Sequence, residues 1–352
     1  MRRVDNPPNP YLSTHPEWLE PPPPAKLEVY EERARSILSE NDSPDIPFRW
    51  SVNPYRGCQH ACAYCYARPT HEYLGWGAGT DFDTRIVVKT NAADLLREAF
   101  SRRGWRREQV NFSGVTDCYQ PLEASYGLTR ACLAACIEFR NPAAVVTKSY
   151  LVVRDADLLA ELHQVAGVTV FQSVPIADDR LARVIEPHAP SPSRRFEAME
   201  KLTQAGVPVG VMVAPLIPGL NDRDIPTVLR RARDAGARSA AYIALRLPRS
   251  VEPVFLGRLR ELLPERAARV ESRIREMRGG RLNDPRFGRR MTGAGPYWES
   301  IEKLFRLSQS RFGFTSPAGC GRSGQRRVVN SGEVVHSESD PTPRQLRWDF
   351  AD

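Results

Sequence analysis

Six short apolar runs, separated by stretches whose apolar residues recur at helical spacing, constrain this 352-residue chain more than any other feature. The runs fall at 49–53, 110–113, 144–147, 168–173, 209–214 and 240–245. Each is short and apolar enough to be a strand covered on both faces. Helical patterns occupy the gaps at 92–102, 128–139, 155–165, 193–205 and 222–235, several opened by Asn, Asp or Ser, with Gly206 and Gly236 placed as stops. Strands kept apart by helices run parallel, so an α/β chain with six parallel strands is expected. Arg85-Ile86-Val87-Val88-Lys89 is a further candidate strand with no assigned place.

The flanks are different in character. Residues 1–45 are proline-rich, with Pro21 to Pro24 in succession, and read as an extension in which 26–34 forms a short helix. After Pro253 the pattern is helical at 254–263, 266–278 and 297–310, and the Ser-, Gly- and Arg-rich tail from Thr315 is expected to be disordered. The expected division is an extension at 1–45, a core barrel at 46–250, a helical region at 251–314 and a tail at 315–352. No stretch approaches the roughly 18–20 uninterrupted apolar residues of a membrane span. The start Met1-Arg2-Arg3-Val4-Asp5 also lacks an apolar signal core, so the cytoplasm is the expected compartment.

Three cysteines stand in Arg56-Gly57-Cys58-Gln59-His60-Ala61-Cys62-Ala63-Tyr64-Cys65-Tyr66, just after the first run. They supply three thiolates and no fourth. A structural zinc site takes four protein ligands, whereas an iron–sulfur cubane held by three cysteines leaves one iron open to another ligand. Gly57 permits the close backbone approach such a loop needs. The alternative is a Cys3His zinc site that uses His60 or His71, although no second ligand pair follows downstream. Cys132 and Cys136 lie on one helix face beside Leu133 and Ile137 and read as core residues, and Cys320 has no evident partner. The clustering of thiols favours a reducing compartment over a disulfide framework.

With Cys58, Cys62, Tyr64 and Cys65 on the loop after a first strand, the sequence resembles the radical S-adenosylmethionine (SAM) superfamily, and within it the photolyase-like branch that contains spore photoproduct lyase. The resemblance implies a partial (β/α)6 TIM-like barrel and a 4Fe-4S cluster on Cys58, Cys62 and Cys65 whose open iron chelates SAM. One electron from the reduced cluster then breaks SAM to methionine and a 5′-deoxyadenosyl radical, which abstracts hydrogen. A reductant such as flavodoxin or ferredoxin is the implied partner.

The same resemblance assigns SAM contacts at the C-terminal strand ends. Tyr64 meets the adenine through its backbone. Thr116 and Asp117, in Ser113-Gly114-Val115-Thr116-Asp117-Cys118, lie near the amino-acid moiety, where Asp117 reads equally as a turn cap. Lys148 reaches the SAM carboxylate, or else snorkels to solvent. Ser173 touches ribose or carboxylate. In Pro215-Leu216-Ile217-Pro218-Gly219-Leu220-Asn221-Asp222, which packs on the adenine, Asn221 is the candidate contact and Asp222 a helix cap. The polar loop 185–195 and the segment from Gly288 to Tyr297 resemble those of uncharacterised bacterial relatives, as parts of the mouth or as surface turns.

One position departs from the branch. The lyase's hydrogen-donating cysteine corresponds to Gly114 here, and Cys118, the substitute donor, is equally a small buried thiol. The substrate class implied is a nucleic-acid base or lesion, with a protein, peptide or small molecule as the alternative. A non-catalytic zinc or cluster-binding module is the reading from another class. The net charge of +8 agrees with a nucleic-acid partner. It agrees equally with an arginine-biased composition, since lysine occurs only at Lys26, Lys89, Lys148, Lys201 and Lys303.

Overall fold

Among the described residues of the computed structural model ten strands occur: β1 Glu28–Glu32, β2 Leu38–Glu40, β3 Trp50–Val52, β4 Tyr55–Arg56, β5 Arg85–Lys89, β6 Val110–Phe112, β7 Ala143–Thr147, β8 Val168–Ser173, β9 Val209–Leu216 and β10 Ser239–Ala244. The structure describes residues 6–11 and 26–314. These fall in one unit, Met1–Gly321, while the unit Arg322–Asp352 and the expectations for the tail and Cys320 lie outside them.

All six expected runs pair in one seven-stranded sheet of order β10-β9-β8-β7-β6-β3-β2. Each neighbour is parallel except β2, which caps the β3 edge in antiparallel register, Ser39 opposite Ser51. This is a partial TIM-like α/β fold. The strands are buried as expected, Val145, Val170, Val211 and Val213 having no exposed surface. Helices Ala92–Ser101, Leu128–Glu138, Ala156–Val165, Pro192–Gln204 and Ile225–Asp234 cover them. Leu133, Leu159, Leu202 and Leu229 on those helices are fully buried, each contributing about 1.5–3 kcal/mol of apolar burial. Ser191 caps the fourth of these helices by accepting from Arg194 N.

The open candidate strand finds its place in a second sheet of order β1-β5-β4. Its partner corrects one expectation: residues 26–34 do not form a helix, because β1 lies parallel along β5, Val29 opposite Ile86. The reason is a backbone demand. Ile86 and Val88 are fully buried, and a strand with buried faces needs partners for its amide groups on both edges. β4 supplies the other edge, antiparallel, and runs directly into the cysteines. A short helix, Asp179–Ile185, was also not read from the sequence.

Helices Val251–Leu262, Pro264–Met277 and Pro296–Arg311 follow the last strand. The third sets Trp298 and Phe305 against Tyr242 of β10, with ring centroids 6.1 and 4.7 Å apart. Ahead of it, Met291 O accepts from Ala244 N at 3.1 Å, and Arg290 Nε reaches Asp45 Oδ2 at 2.7 Å. The segment 286–292 therefore bridges the two edges of the open sheet, β10 and the β2–β3 connection. Among the described residues no helix is long and apolar enough to cross a membrane.

Candidate active site at the cysteine loop

β4 turns into the cysteines through Gly57, whose φ is +80°. A Cβ there would stand 2.9 Å from Arg85 O, His71 Cε1 and Ile86 Cδ1, so only glycine fits. The loop then winds in short turns, Ala61 N donating to Cys58 O and Cys65 N to Cys62 O. It is held from three directions. Thr116 Oγ1 and Gln120 Nε2 donate to Gly57 O at 2.6 and 3.1 Å, and Gln59 N donates to Gln120 Oε1 at 3.0 Å. Ala63 N donates to Ile185 O at 2.9 Å, and His188 N to His60 O at 3.3 Å. Beneath, the fully buried Arg68 donates from Nε and Nη2 to Cys62 O, from Nη1 to Ala78 O and Gly79 O, and pairs with Asp83 at 2.9 Å.

Cys58 and Cys62 are nearly buried and Cys65 is partly so. Burial pushes the thiols of Cys62 and Cys65 up, Cys65 to about 11, and the charges of neighbouring cysteines add to the rise. Thiols this close and dry ionise together only around a cation. Among the described residues no three His, Cys, Asp or Glu side chains converge on one ion-sized point. Three cysteines on one glycine-led loop are the donor set of a 4Fe-4S cluster that keeps one iron open. The histidines weighed as a fourth zinc ligand each turn a ring nitrogen elsewhere: His60 Nδ1 lies 3.3 Å from Asp117 Oδ2, and His71 Nε2 lies 2.8 Å from Arg85 O.

A buried polar layer links this loop to the strand ends. Asp117 accepts from Thr147 Oγ1 and Lys148 N, both at 2.7 Å, and faces His60. Burial alone would raise its pKa; the His60 charge and these hydrogen bonds outweigh it and hold the carboxyl at about 2. Burial likewise acts to lower His60, and Asp117 and Cys58 outweigh it and lift the imidazole to about 10. Lys148 Nζ donates to Ser173 Oγ at 3.0 Å and lies 5.7 Å from the Tyr64 ring centroid. The Tyr64 hydroxyl donates to Glu186, which also pairs with Arg195. Arg195 Nη1 donates to Ser173 O at 2.9 Å and Nε to Pro190 O at 2.8 Å. Glu186 and Arg195 have essentially no exposed surface, and burial pushes the Glu186 carboxyl up while Arg195 pulls it back.

The structure thus brings Tyr64, Thr116, Asp117, Lys148 and Ser173 together around Cys58, Cys62 and Cys65. Asn221 stands apart in role: fully buried, it donates to Pro175 O and Pro215 O at 2.8 and 2.9 Å and accepts from Ile217 N. It fastens the segment after β9 and offers no free polar atom. Cys118 is fully buried in the hydrophobic core, where burial pushes its thiol well up. Arg68, Glu186 and Arg195 were not singled out from the sequence. For Arg68 and Glu186 the signal was faint, a charged residue flanked by apolar neighbours as in Val184-Ile185-Glu186-Pro187, and Arg195, beside Arg194, carried none.

A parallel sheet whose first strand leads into a braced three-cysteine loop at its C-terminal edge defines a class of α/β enzyme that keeps its cofactor at the mouth of a partial barrel. The chain belongs to the radical SAM superfamily, whose family model matches residues 52–232 and whose enzymes bind a 4Fe-4S cluster and SAM. An uncharacterised protein of Mycobacterium tuberculosis is 41% identical over 234 residues, covering 66% of this chain and 68% of that one. Another, from Methanocaldococcus jannaschii, is 31% identical over 202 residues, 56% of this chain and 71% of its own. A solved structure of spore photoproduct lyase, a Cys→Ser mutant, shares the fold with a TM-score of 0.56 at 18% identity, covering 81% of this chain and 79% of that chain. A double mutant of the same lyase with bound AdoMet and dinucleoside spore photoproduct gives 0.55 at 18% identity, covering 82% of each chain.

Proposed function

We propose that the protein holds a 4Fe-4S cluster on Cys58, Cys62 and Cys65, cleaves SAM reductively, and abstracts hydrogen from a nucleic-acid base or lesion. The observation that carries the reading is the braced cysteine loop facing Lys148 and Ser173. When bound, the cluster and SAM together supply one-electron cleavage and the organic radical that takes the hydrogen. The chain's own residues bind and orient. Lys148, 3.0 Å from Ser173 Oγ, offers an ammonium and a hydroxyl to the SAM carboxylate and ribose. The Tyr64 hydroxyl is committed to Glu186, so what it offers is its backbone and ring face. Asp117 acts through others, fixing Lys148 N and His60, and Thr116 fixes Gly57. Asn221 holds the β9 segment in place for the adenine. The required partner is a one-electron donor such as flavodoxin or ferredoxin.

The nucleic-acid substrate is supported by the fold shared with spore photoproduct lyase and by the net charge of +8. The lyase's hydrogen return does not carry over. Gly114 has φ +152°, a conformation a cysteine rarely adopts, and Cys118 is sealed in the core. For this reason modification of a protein, peptide or small molecule stays as the second reading.

Anaerobic reconstitution with iron and sulfide tests the proposal. The expected result is an iron–sulfur chromophore and 5′-deoxyadenosine from SAM and dithionite, both abolished in Cys62→Ala. A colourless zinc protein that leaves SAM intact overturns it. Irradiated DNA or RNA is expected to stimulate SAM cleavage; if neither does, the nucleic-acid part falls.

A further inference from the structure

Arg246 follows β10 at the mouth, across from the cysteine loop. It is partly buried, and among the described residues no carboxylate lies within ion-pair distance of it. Its one hydrogen bond there runs from Nη1 to Met291 Sδ at 3.6 Å, a weak acceptor. The neighbouring arginines each hold oxygen acceptors, although Arg278 Nε is buried without a partner. Arg278 donates to Leu245 O, Arg289 O and Arg290 O at 2.7–3.1 Å, Arg290 pairs with Asp45 at 2.7 Å, and Arg286 pairs with Asp284 at 2.7 Å. The other donors of Arg246 have no protein acceptor among the described residues and are not sealed in the interior, so they stay open to an incoming anion.

The surroundings are shaped for such a guest. The Arg246 guanidinium lies 5.3 Å from the ring centroid of Tyr66, the residue after Cys65. That ring is 48% exposed, and its hydroxyl donates to Gly114 O. In front of Gly114 the space is open, since a Cβ there would meet nothing nearer than Asn53 Oδ1 at 4.0 Å. Burial and the nearby Arg290 charge disfavour the Arg246 cation more than Tyr66 and Asp45 favour it, and an incoming oxyanion offsets the repulsion.

We propose that Arg246, on the Tyr66 ring, is the subsite that takes a phosphate group of the substrate. The planar fork matches two phosphate oxygens. A phosphate seated there leaves its attached nucleoside over the exposed Tyr66 face, beside Cys65. The inference rests on the nucleic-acid reading only for where the phosphate comes from.

The test is equilibrium titration of the full chain, cluster reconstituted and SAM bound, with inorganic phosphate, with a dinucleotide and with the two phosphate-free nucleosides. The dinucleotide is expected to bind roughly tenfold or more tighter than the nucleosides, the scale of hydrogen bonds to a charged group. Arg246→Gln is expected to erase that preference, and Arg246→Lys, which keeps the charge without the fork, to retain part of it. Arg289→Gln, an exposed neighbour, is expected to leave it intact. A preference that survives Arg246→Gln, or falls as far in Arg289→Gln, overturns the subsite. Inorganic phosphate that binds through Arg246 while the dinucleotide does not supports the subsite and overturns the nucleic-acid reading.

Discussion

Arg68 beneath the cysteine loop is fully buried and Arg246 across the mouth only partly so, and they end differently. Arg68 uses all its donors, on the carbonyls of Cys62, Ala78 and Gly79 and on Asp83. Arg246 has a thioether. A fully satisfied buried cation fixes backbone; a partly exposed one with a weak acceptor keeps donors for a ligand. The cofactor side of the mouth is thus built rigid, and it lies inside the residues matched by the superfamily, 52–232. The β10 side, with Arg246 and the bridging segment, lies beyond them.

On that contrast, the largest loss of stability comes from the rigid side. Arg68→Met removes the ion-pair partner of the buried Asp83 and frees the Cys62 carbonyl, and is expected to cost about 3–5 kcal/mol in denaturant unfolding. It should also load less iron at equal protein. A loss under about 1 kcal/mol, the scale of an exposed pair, breaks the claim that Arg68 braces the loop.

Asp117 sharpens the contrast with a pH signature. Its carboxyl moves from 3.8 unfolded to about 2 folded. A depressed carboxyl contributes stability that is present above the unfolded value and lost as pH falls through the folded one. Close to two pKa units is about 2 kcal/mol. The stability gap between wild type and Asp117→Asn is therefore expected to shrink by about 2 kcal/mol between roughly pH 5 and pH 2, the acid limb shared by both proteins cancelling in the difference. A gap flat across that range shows that His60 and Asp117 do not act as an ion pair.

The rigid side was largely legible in sequence and the open side was not. Six strands stood out because each carries a short, mostly apolar run between helical patterns, and the loop stood out because three thiols at that spacing have few other uses. β1 was misread because Glu28-Val29-Tyr30-Glu31-Glu32 has no apolar periodicity strong enough to outweigh its glutamates; it is a strand only because β5 needs an edge partner. Glu186 and Arg195 stayed hidden because two opposite charges nine residues apart look solvated until the fold buries them against each other. Arg246, in Ala244-Leu245-Arg246-Leu247-Pro248, looks like any strand-end arginine, since a missing partner is a three-dimensional property.

The smallest expected effect tests whether the two sides move independently. Asp45 accepts from Gly288 N at 2.6 Å and from Arg290 Nε at 2.7 Å, and its side chain is 6% exposed. Asp45→Asn keeps one acceptor and loses the charge, leaving Arg290 tethered only to Ser43 Oγ, so a cost of about 1 kcal/mol is expected. Few other hydrogen bonds join 286–292 to the β2–β3 connection, so amide hydrogen exchange should quicken in those two segments. Cys58 to Cys65 should be unchanged, because their braces run to Gly57, Ile185 and Arg68 and none passes through Asp45. Exchange that rises equally in the cysteine loop makes the mouth one cooperative unit, and the division between a rigid cofactor side and an adaptable substrate side is then lost.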